Sequence, residues 1–318
     1  MLDPKQNAAF DGHEQIVPVG DEALGFAGFV AIHSTALGPA AGGCRIWNYD
    51  RPEDALTDVL RLSRGMSYKN AMAELPLGGG KTVLYKMGPD RKACLEKFGE
   101  QVEALGGRYI TAEDVGASVD DMRIVARRTS FVAGLPKEEG QAGGDPSPVT
   151  ARGVFVCIKA LLDNALQGRT IAVQGVGHVG LSLCEMLAAE KANLIVSDVN
   201  TDNLERARAL GADIAPVEDI HKVKADLFAP CALGGAANNH RATEADGARL
   251  VQRGVTYAPD YVVNAGGIIN VSAEYLGESA DVVDARIRAI ASRLLNVLET
   301  AKSQGVPPHE AADRIVRE

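Results

Sequence analysis

Thr170-Ile171-Ala172-Val173-Gln174-Gly175-Val176-Gly177-His178-Val179-Gly180 runs from a short apolar segment straight into G-x-G-x-x-G. The apolar segment has the length and residue types of a buried strand, and a helix follows the glycines to about Ala189. That order gives the glycines their meaning. Gly175 permits a tight turn and Gly177 lets backbone approach a pyrophosphate. Gly180 lets helix and strand pack closely, while the helix N-terminus, with Val176, His178 and Val179 around it, faces phosphate. The next strand, Leu194-Ile195-Val196-Ser197-Asp198, ends in a carboxylate eighteen positions past Gly180. Asp198 can accept hydrogen bonds from ribose hydroxyls and would repel a 2′-phosphate, so NAD is expected over NADP.

Around this stretch the pattern alternates. A helical segment over 150–166 precedes it; a helix over 203–210 and a strand over 226–230 follow. Such alternation predicts a parallel sheet with right-handed crossovers. The amphipathic run 280–303 predicts a single long helix. In the first half, Phe26–His33 reads as a strand, and Pro52 opens a helix carrying Leu56, Val59 and Leu60. Thr82–Tyr85 and Tyr109–Thr111 read as strands flanking a helix over 92–105. The fold class is therefore α/β with two domains. They are an N-terminal α/β domain (1–145) and a Rossmann-like, doubly wound dinucleotide-binding domain (146–270), followed by a C-terminal helical segment (271–318).

The 318 residues hold 33 basic and 42 acidic side chains, a formal net charge of −9 that argues against a nucleic-acid footprint. No apolar run has membrane-spanning length, and residues 1–5 lack a signal core, so no membrane partner is expected. Five scattered cysteines without a C-x-x-C pair read as reduced thiols of a cytoplasmic protein, with no metal site. Glycine is high, 34 of 318, and clustered where backbone approaches ligand or backbone.

Gly78-Gly79-Gly80-Lys81-Thr82 suggests a P-loop, but the motif needs glycine where Leu75 stands, and that reading fails. Lys81 is then either a structural lysine or a poorly hydrated one suited to acid–base work. Tyr68-Lys69 is not the tyrosine–lysine pair of short-chain dehydrogenases, because the two are adjacent instead of four apart. Lys69, near a helix end, and Lys81 would together favour a carboxylate substrate. Asp114, just past the strand 109–111, is either a helix cap or a catalytic carboxylate.

Taken together and in order, these residues resemble the glutamate/leucine/phenylalanine/valine dehydrogenase family, in its short amino-acid dehydrogenase branch. The resemblance runs through Leu37–Gly43, Met66–Ala71, Leu77–Lys81, Gly107–Gly116 and Pro146–Thr150. It continues through Val173–Gly177, Ala229–Ala232 and Tyr257–Gly267. It implies reversible oxidative deamination of an L-2-amino acid, branched-chain or aromatic, to the 2-oxo acid and ammonia with NAD, in a homo-oligomer whose first domain (1–145) binds substrate, whose C-terminal segment (271–318) returns to that domain and whose interdomain cleft closes before hydride transfer. It implies that Lys69 holds the substrate carboxylate beside the Gly42-Gly43 backbone and that Lys81, its pKa lowered, activates water. Asp114 would shuttle protons at the substrate nitrogen, Asn264 would orient substrate and nicotinamide, and Thr150, Cys231, Ala232 and Asn239 would join the glycine turn at the cofactor. Ala41 stands where the leucine type often has Leu, which would widen the side-chain pocket.

The chain departs from the family at one place. Gly234-Gly235 runs directly into Ala236-Ala237-Asn238-Asn239, where the family has about twenty residues of helix and strand. One parallel strand is therefore expected to be missing, with Asn239 and Asn264 displaced. A second reading follows from this, an inactive or repurposed member that binds NAD or amino acid without turnover.

Overall fold

The computed structural model describes residues 2–135, 141–232 and 244–317. They fall into two compact units, Met1–Asp145 with Ile268–Val283, and Pro146–Gly267 with Asp284–Glu318.

The first unit is built on a five-stranded mixed sheet. Its strands are β1 (Gln15–Asp21), β2 (Phe26–Ser34), β3 (Ala40–Ile46), β4 (Gly78–Lys86) and β5 (Tyr109–Glu113), in the order β1-β2-β4-β3-β5. β1, β2 and β4 pair antiparallel, whereas β3 runs parallel to both neighbours, β4 and β5. Helix α1 (Pro52–Met72) covers one face, where Ala55, Leu56, Val59 and Leu60 bury against Phe29, Ala31 and Val83. Helices α2 (Arg91–Glu103) and α3 (Val119–Val125) cover the other, packing Phe98 and Met122 against Val30, Ile32, Cys44, Leu84 and Tyr109. Side chains alternate between faces along a strand. Lys81, in step with Val83, therefore points to the α1 side.

β1 and β3 were not expected from the sequence. Ala40-Ala41-Gly42-Gly43 has neither β-branched residues nor alternation, and it becomes a strand because β4 and β5 supply partners on both sides. The glycine run 78–80 likewise opens a strand instead of forming a loop. A Cβ on Gly78 would lie 2.0 Å from the Ser34 carbonyl oxygen; one on Gly79 would lie 2.2 Å from the Ser67 amide nitrogen. The glycines let α1 and the neighbouring backbone close onto β4.

The second unit holds, among the described residues, a four-stranded parallel sheet in the order Asp213–Ile214, Asn193–Ser197, Thr170–Gln174, Leu227–Pro230. Helix α4 (Ser147–Leu161) precedes β6 (Thr170–Gln174); α5 (His178–Ala189), β7 (Asn193–Ser197), α6 (Thr201–Ala209), β8 (Asp213–Ile214) and β9 (Leu227–Pro230) follow. The core joins Ile171, Val173 and Val196 to Leu183, Cys184 and Leu187 of α5. Segment 233–243, which holds Asn239 and the site of the expected missing strand, lies outside the described residues. Helices α7 (Glu244–Gln252), α8 (Asp260–Val263), α9 (Gly266–Leu276) and α10 (Ala280–Gln304) follow it. The last helix is α11 (Pro308–Arg317).

The C-terminal segment 271–318 is divided between the two units. Ile268–Val283 belongs to the first, but Asp284–Glu318 packs with the second. The contacts that hold it there are specific. Arg152 of α4 pairs with Asp284 at 2.8 Å, and Tyr261 of α8 donates to Asp313 of α11 at 2.6 Å. Ile290 lies 3.1 Å from where a Gly153 Cβ would stand. No described helix is long and apolar enough to cross a membrane.

The close packing of α1 on β4 has a direct check. Gly79→Ala cannot be relieved by a rotamer change, because the clash is with Ser67 backbone. Overpacking of this kind costs about 1–3 kcal/mol or more. The melting temperature followed by circular dichroism should fall by several degrees; an unchanged value would show that α1 does not press on β4 here.

Candidate active site

Lys81 and Asp114 meet on the α1 side of the first sheet. Lys81 Nζ lies 2.9 Å from Asp114 Oδ2, and Lys81 is only 6% exposed. Lys81 comes from mid-β4; Asp114 follows the last residue of β5. Asp114 is not a helix cap. The next helix, α3, is capped by Ser118, whose hydroxyl accepts from Asp121 N–H while Asp121 accepts from Ser118 N–H. That removes the structural reading that the sequence left open for Asp114.

β3 lies between the two strands and carries Ala41, Gly42 and Gly43. Ala41 is buried, level with Gly79 on one side and Ile110 on the other. A Cβ on Gly43 would lie 2.7 Å from Asp114 Cβ, and one on Gly42 1.9 Å from the Gly80 carbonyl oxygen. The Gly42 carbonyl is fixed from the other side by the buried Tyr109 hydroxyl, which donates at 2.7 Å. Lys69 is half-buried in α1. It is three positions past Met66, whose Cγ comes 3.2 Å from where a Gly42 Cβ would stand, and so shares its helical face. Asn70, next to it, donates to the Gly78 carbonyl at 2.5 Å. Ala41, Gly42, Gly43, Lys69, Lys81 and Asp114 thus occupy one region of the first unit. His33, read as structural, accepts or donates through Nδ1 with Ser67 at 2.7 Å and meets the His13 ring edge-on. Burial lowers its pKa to about 4.

Sequence reasoning missed Arg45. Its Nε donates to Asp114 Oδ2 at 3.1 Å, and its Nη1 donates to Asp58 Oδ2 at 2.8 Å. Burial pushes the Asp114 carboxyl upward, but the Lys81 ammonium and the Arg45 guanidinium reverse it and hold the group below the usual carboxylate range. The signal was present: Arg45 stands two positions past Gly43, on the same face once β3 is known to be a strand. Glu113, the residue before Asp114, has the opposite environment. Burial, then the charges of Asp145, Asp114 and Glu274, push its pKa up to about 7. Glu274 accepts from the Gly134 and Leu135 N–H groups, both at 2.9 Å.

In the second unit the glycine turn has the form the sequence implies. Gly175 sits at φ +86°, and its Cβ would lie 2.6 Å from Ala232 Cα. A Gly180 Cβ would lie 2.0 Å from the Gly175 carbonyl oxygen, so α5 packs directly on the turn. Gly177, the N-cap of α5, has no side-chain cap, and its missing Cβ would project into open space. The first N–H groups of α5, from His178 onward, are thus left for an outside acceptor. Asp198 accepts from Val176 N–H at 2.7 Å, which places the carboxylate at the turn. Cys231 N–H donates to the Gln174 carbonyl at 2.6 Å, bringing Cys231 and Ala232 to the same place. These residues fit a dinucleotide pyrophosphate with an adjacent ribose. Thr150 stands beside Gly266-Gly267, 2.7 Å from where a Gly267 Cβ would be, and Asn264 is two residues before that pair. Among the described residues no group of three His, Cys, Asp or Glu could hold a metal ion.

Residues 13–131 match the family described as Glu/Leu/Phe/Val dehydrogenase, dimerisation domain. Leucine dehydrogenase of Thermoactinomyces intermedius is 44% identical over 333 aligned positions, covering 96% of this chain and 90% of that protein. The chain belongs to the Glu/Leu/Phe/Val dehydrogenase family. Valine dehydrogenase of Streptomyces virginiae is 43% identical, covering 96% of the chain and 93% of that protein. The crystal structure of L-tryptophan dehydrogenase from Nostoc punctiforme superposes with a TM-score of 0.79 at 37% identity, covering 96% of this chain and 95% of that one. The protein is accordingly an amino-acid dehydrogenase, an oxidoreductase acting on CH–NH2 donors, and its two-domain α/β fold is that of the family.

The raised Glu113 makes stability depend on pH. A carboxyl whose folded pKa lies above its unfolded value, here about 7 against 4.5, favours the fold most when protonated. Its contribution is full below about pH 4.5 and lost as pH rises through about 7. Glu113→Gln should therefore melt at nearly the parent temperature at pH 4.5 and above it at pH 8. Parallel curves for the two proteins across that range would assign the titration elsewhere.

Proposed function

We propose that this protein catalyses the reversible oxidative deamination of an apolar L-2-amino acid, branched-chain or aromatic, with NAD. The amino acid, NAD+ and water give the 2-oxo acid, ammonium, NADH and a proton. The observation that carries this reading is the Lys81–Asp114 pair, a buried cation and a carboxylate at 2.9 Å beside a strand that has no side chain at Gly42 and Gly43. The named relatives act on leucine, valine and tryptophan, which supports the side-chain class.

Lys69 binds the substrate carboxylate, with the Gly42-Gly43 backbone close by. Bound NAD supplies the hydride acceptor at the substrate Cα. Asp114, held ionised, takes a proton from the substrate nitrogen. Lys81, once its ammonium has given a proton to solvent, orients water for attack on the imine carbon and takes that water's proton. Asn264 and Thr150 orient the two ligands. The glycine turn Gly175–Gly180, with Cys231 and Ala232, seats the pyrophosphate, and Asp198 accepts from the ribose hydroxyls. Asp198 beside the turn supports NAD over NADP, since a 2′-phosphate would meet a like charge. An inactive member would follow from a lost strand in 233–243, which lies outside the described residues, and nothing among the described residues favours that reading.

A homo-oligomer is supported by the matched family's description as a dimerisation domain. A cytoplasmic setting is in keeping with five free cysteines, four of them buried.

Lys81→Ala should lower kcat by about 10²–10⁴-fold while leaving NAD affinity near the parent value, read from NADH absorbance and a binding titration. Weakened NAD binding with the rate spared would move Lys81 from substrate to cofactor. Asp198→Asn should narrow the preference for NAD over NADP; equal affinities already in the parent would show that Asp198 is not at the ribose. Ala41→Leu should cost phenylalanine more kcat/KM than valine, at roughly 1–3 kcal/mol per methylene of lost fit. A uniform loss across amino acids would take Ala41 out of the side-chain pocket.

A further inference from the structure

Arg45 does not grip one carboxylate with both arms of its guanidinium. It spans two, with Nε on Asp114 Oδ2 at 3.1 Å and Nη1 on Asp58 Oδ2 at 2.8 Å. Asp58, from α1, also accepts from the Tyr49 hydroxyl at 2.5 Å. Arg45, Asp114 and Asp58 are all largely buried, with side chains 22%, 23% and 28% exposed. Lys81 Nζ converges on the same Asp114 oxygen at 2.9 Å. The result is a continuous chain, Lys81–Asp114–Arg45–Asp58–Tyr49, within the first unit.

The two cations on Asp114 are not equivalent. An ammonium can lose its proton in acid–base work; a guanidinium keeps its charge at any working pH. If Lys81 exchanges a proton with water during turnover, Asp114 loses one of its two cations for that step. A half-buried carboxyl left with no cation would rise in pKa, take up a proton, and cease to accept one from substrate nitrogen. The charged and titratable groups that interact with Asp114 are Lys81 from β4 and Arg45 from β3 on its own face, with Asp58 of α1 behind Arg45, and the Cys44 thiol, Glu113 and Tyr109 through the sheet. Of these, Arg45 alone carries a permanent positive charge.

We propose that Arg45 is a positioning residue of the deamination reaction. Held by Asp58 and Tyr49, it fixes the Asp114 carboxylate and keeps it ionised through the step in which Lys81 is neutral. This rests on the assignment of Asp114 to proton transfer made above. Arg45 itself need not touch substrate.

The test uses the full-length protein. The Asp114 carboxyl is followed by 13C NMR across pH, assigned by its loss in Asp114→Asn, and kcat and KM are measured over the same range. Arg45→Gln should raise the Asp114 midpoint by about 1–3 pH units, move the acid limb of kcat/KM upward, and lower kcat with KM near the parent value. Arg45→Lys, which restores charge but not the span to Asp58, should recover part of the midpoint shift. An unmoved midpoint with activity reduced equally at every pH would overturn the proposal, leaving Arg45 a purely structural residue. A loss confined to KM would overturn it too, by making Arg45 a substrate ligand. Should Arg45→Gln fail to fold, Asp58→Asn removes the anchor at one remove. It should lower kcat without raising the Asp114 midpoint, and an unchanged kcat would refute the positioning role. Asp114→Asn separates the two levels: full turnover in that variant would refute the catalytic assignment of Asp114 itself, whatever Arg45 does.

Discussion

The Lys81–Asp114 pair can form only if the strand between its two carriers has no side chain in the way. β3 separates β4 from β5, and the cation of one must reach the carboxylate at the end of the other across it. Gly43 stands at the crossing, where a Cβ would come 2.7 Å from Asp114 Cβ. Gly42 and Gly79 answer the same constraint for the neighbouring backbone and for α1. Of the first unit's glycines, Gly43 serves this close approach directly. Its cost in chain entropy is offset by packing on both faces of the sheet.

Two consecutive carboxylates show how sharply the sheet sorts its environments. Asp114 points to the α1 side, where Lys81 and Arg45 hold it ionised. Glu113 points the other way, among Asp145 and Glu274, where burial and like charge push it up to about 7. The alternation of a strand places adjacent residues on opposite faces. One peptide unit therefore separates a carboxylate from a carboxylic acid at mildly acidic pH. Acid–base chemistry in a single region depends on such divergence.

The second unit solves a different problem with the same residue type. Gly175 needs a positive φ, Gly180 a close contact with the turn, and Gly177 open space above an uncapped helix. Gly175 and Gly180, like the glycines of the first unit, clear room for protein atoms, whereas Gly177 leaves open space in front of the helix. Asp198 is tied to the turn by the Val176 N–H, so its position is set before any ligand arrives.

The strand–turn–helix of the second unit was legible in the sequence because it is local. Every element of it lies within 170–198, and periodicity, glycine spacing and the terminal acid report directly on backbone geometry. Lys69, Lys81 and Asp114 were legible as candidates through their motifs and the family they resemble. What the sequence alone left open was decided by pairing between distant segments. β3 is a strand only because β4 and β5 flank it, so Arg45 could not be placed on the face of Lys81 and Asp114 until that pairing was known. Asp114 could be separated from a helix cap only once Ser118 was seen to cap α3. The end of the chain divided between the two units for the same reason: Arg152–Asp284 and Tyr261–Asp313 join residues far apart in sequence. Local patterns carry dihedral preferences, whereas the partners of a charge are fixed by whichever segments the folded sheet brings within about 4 Å of it.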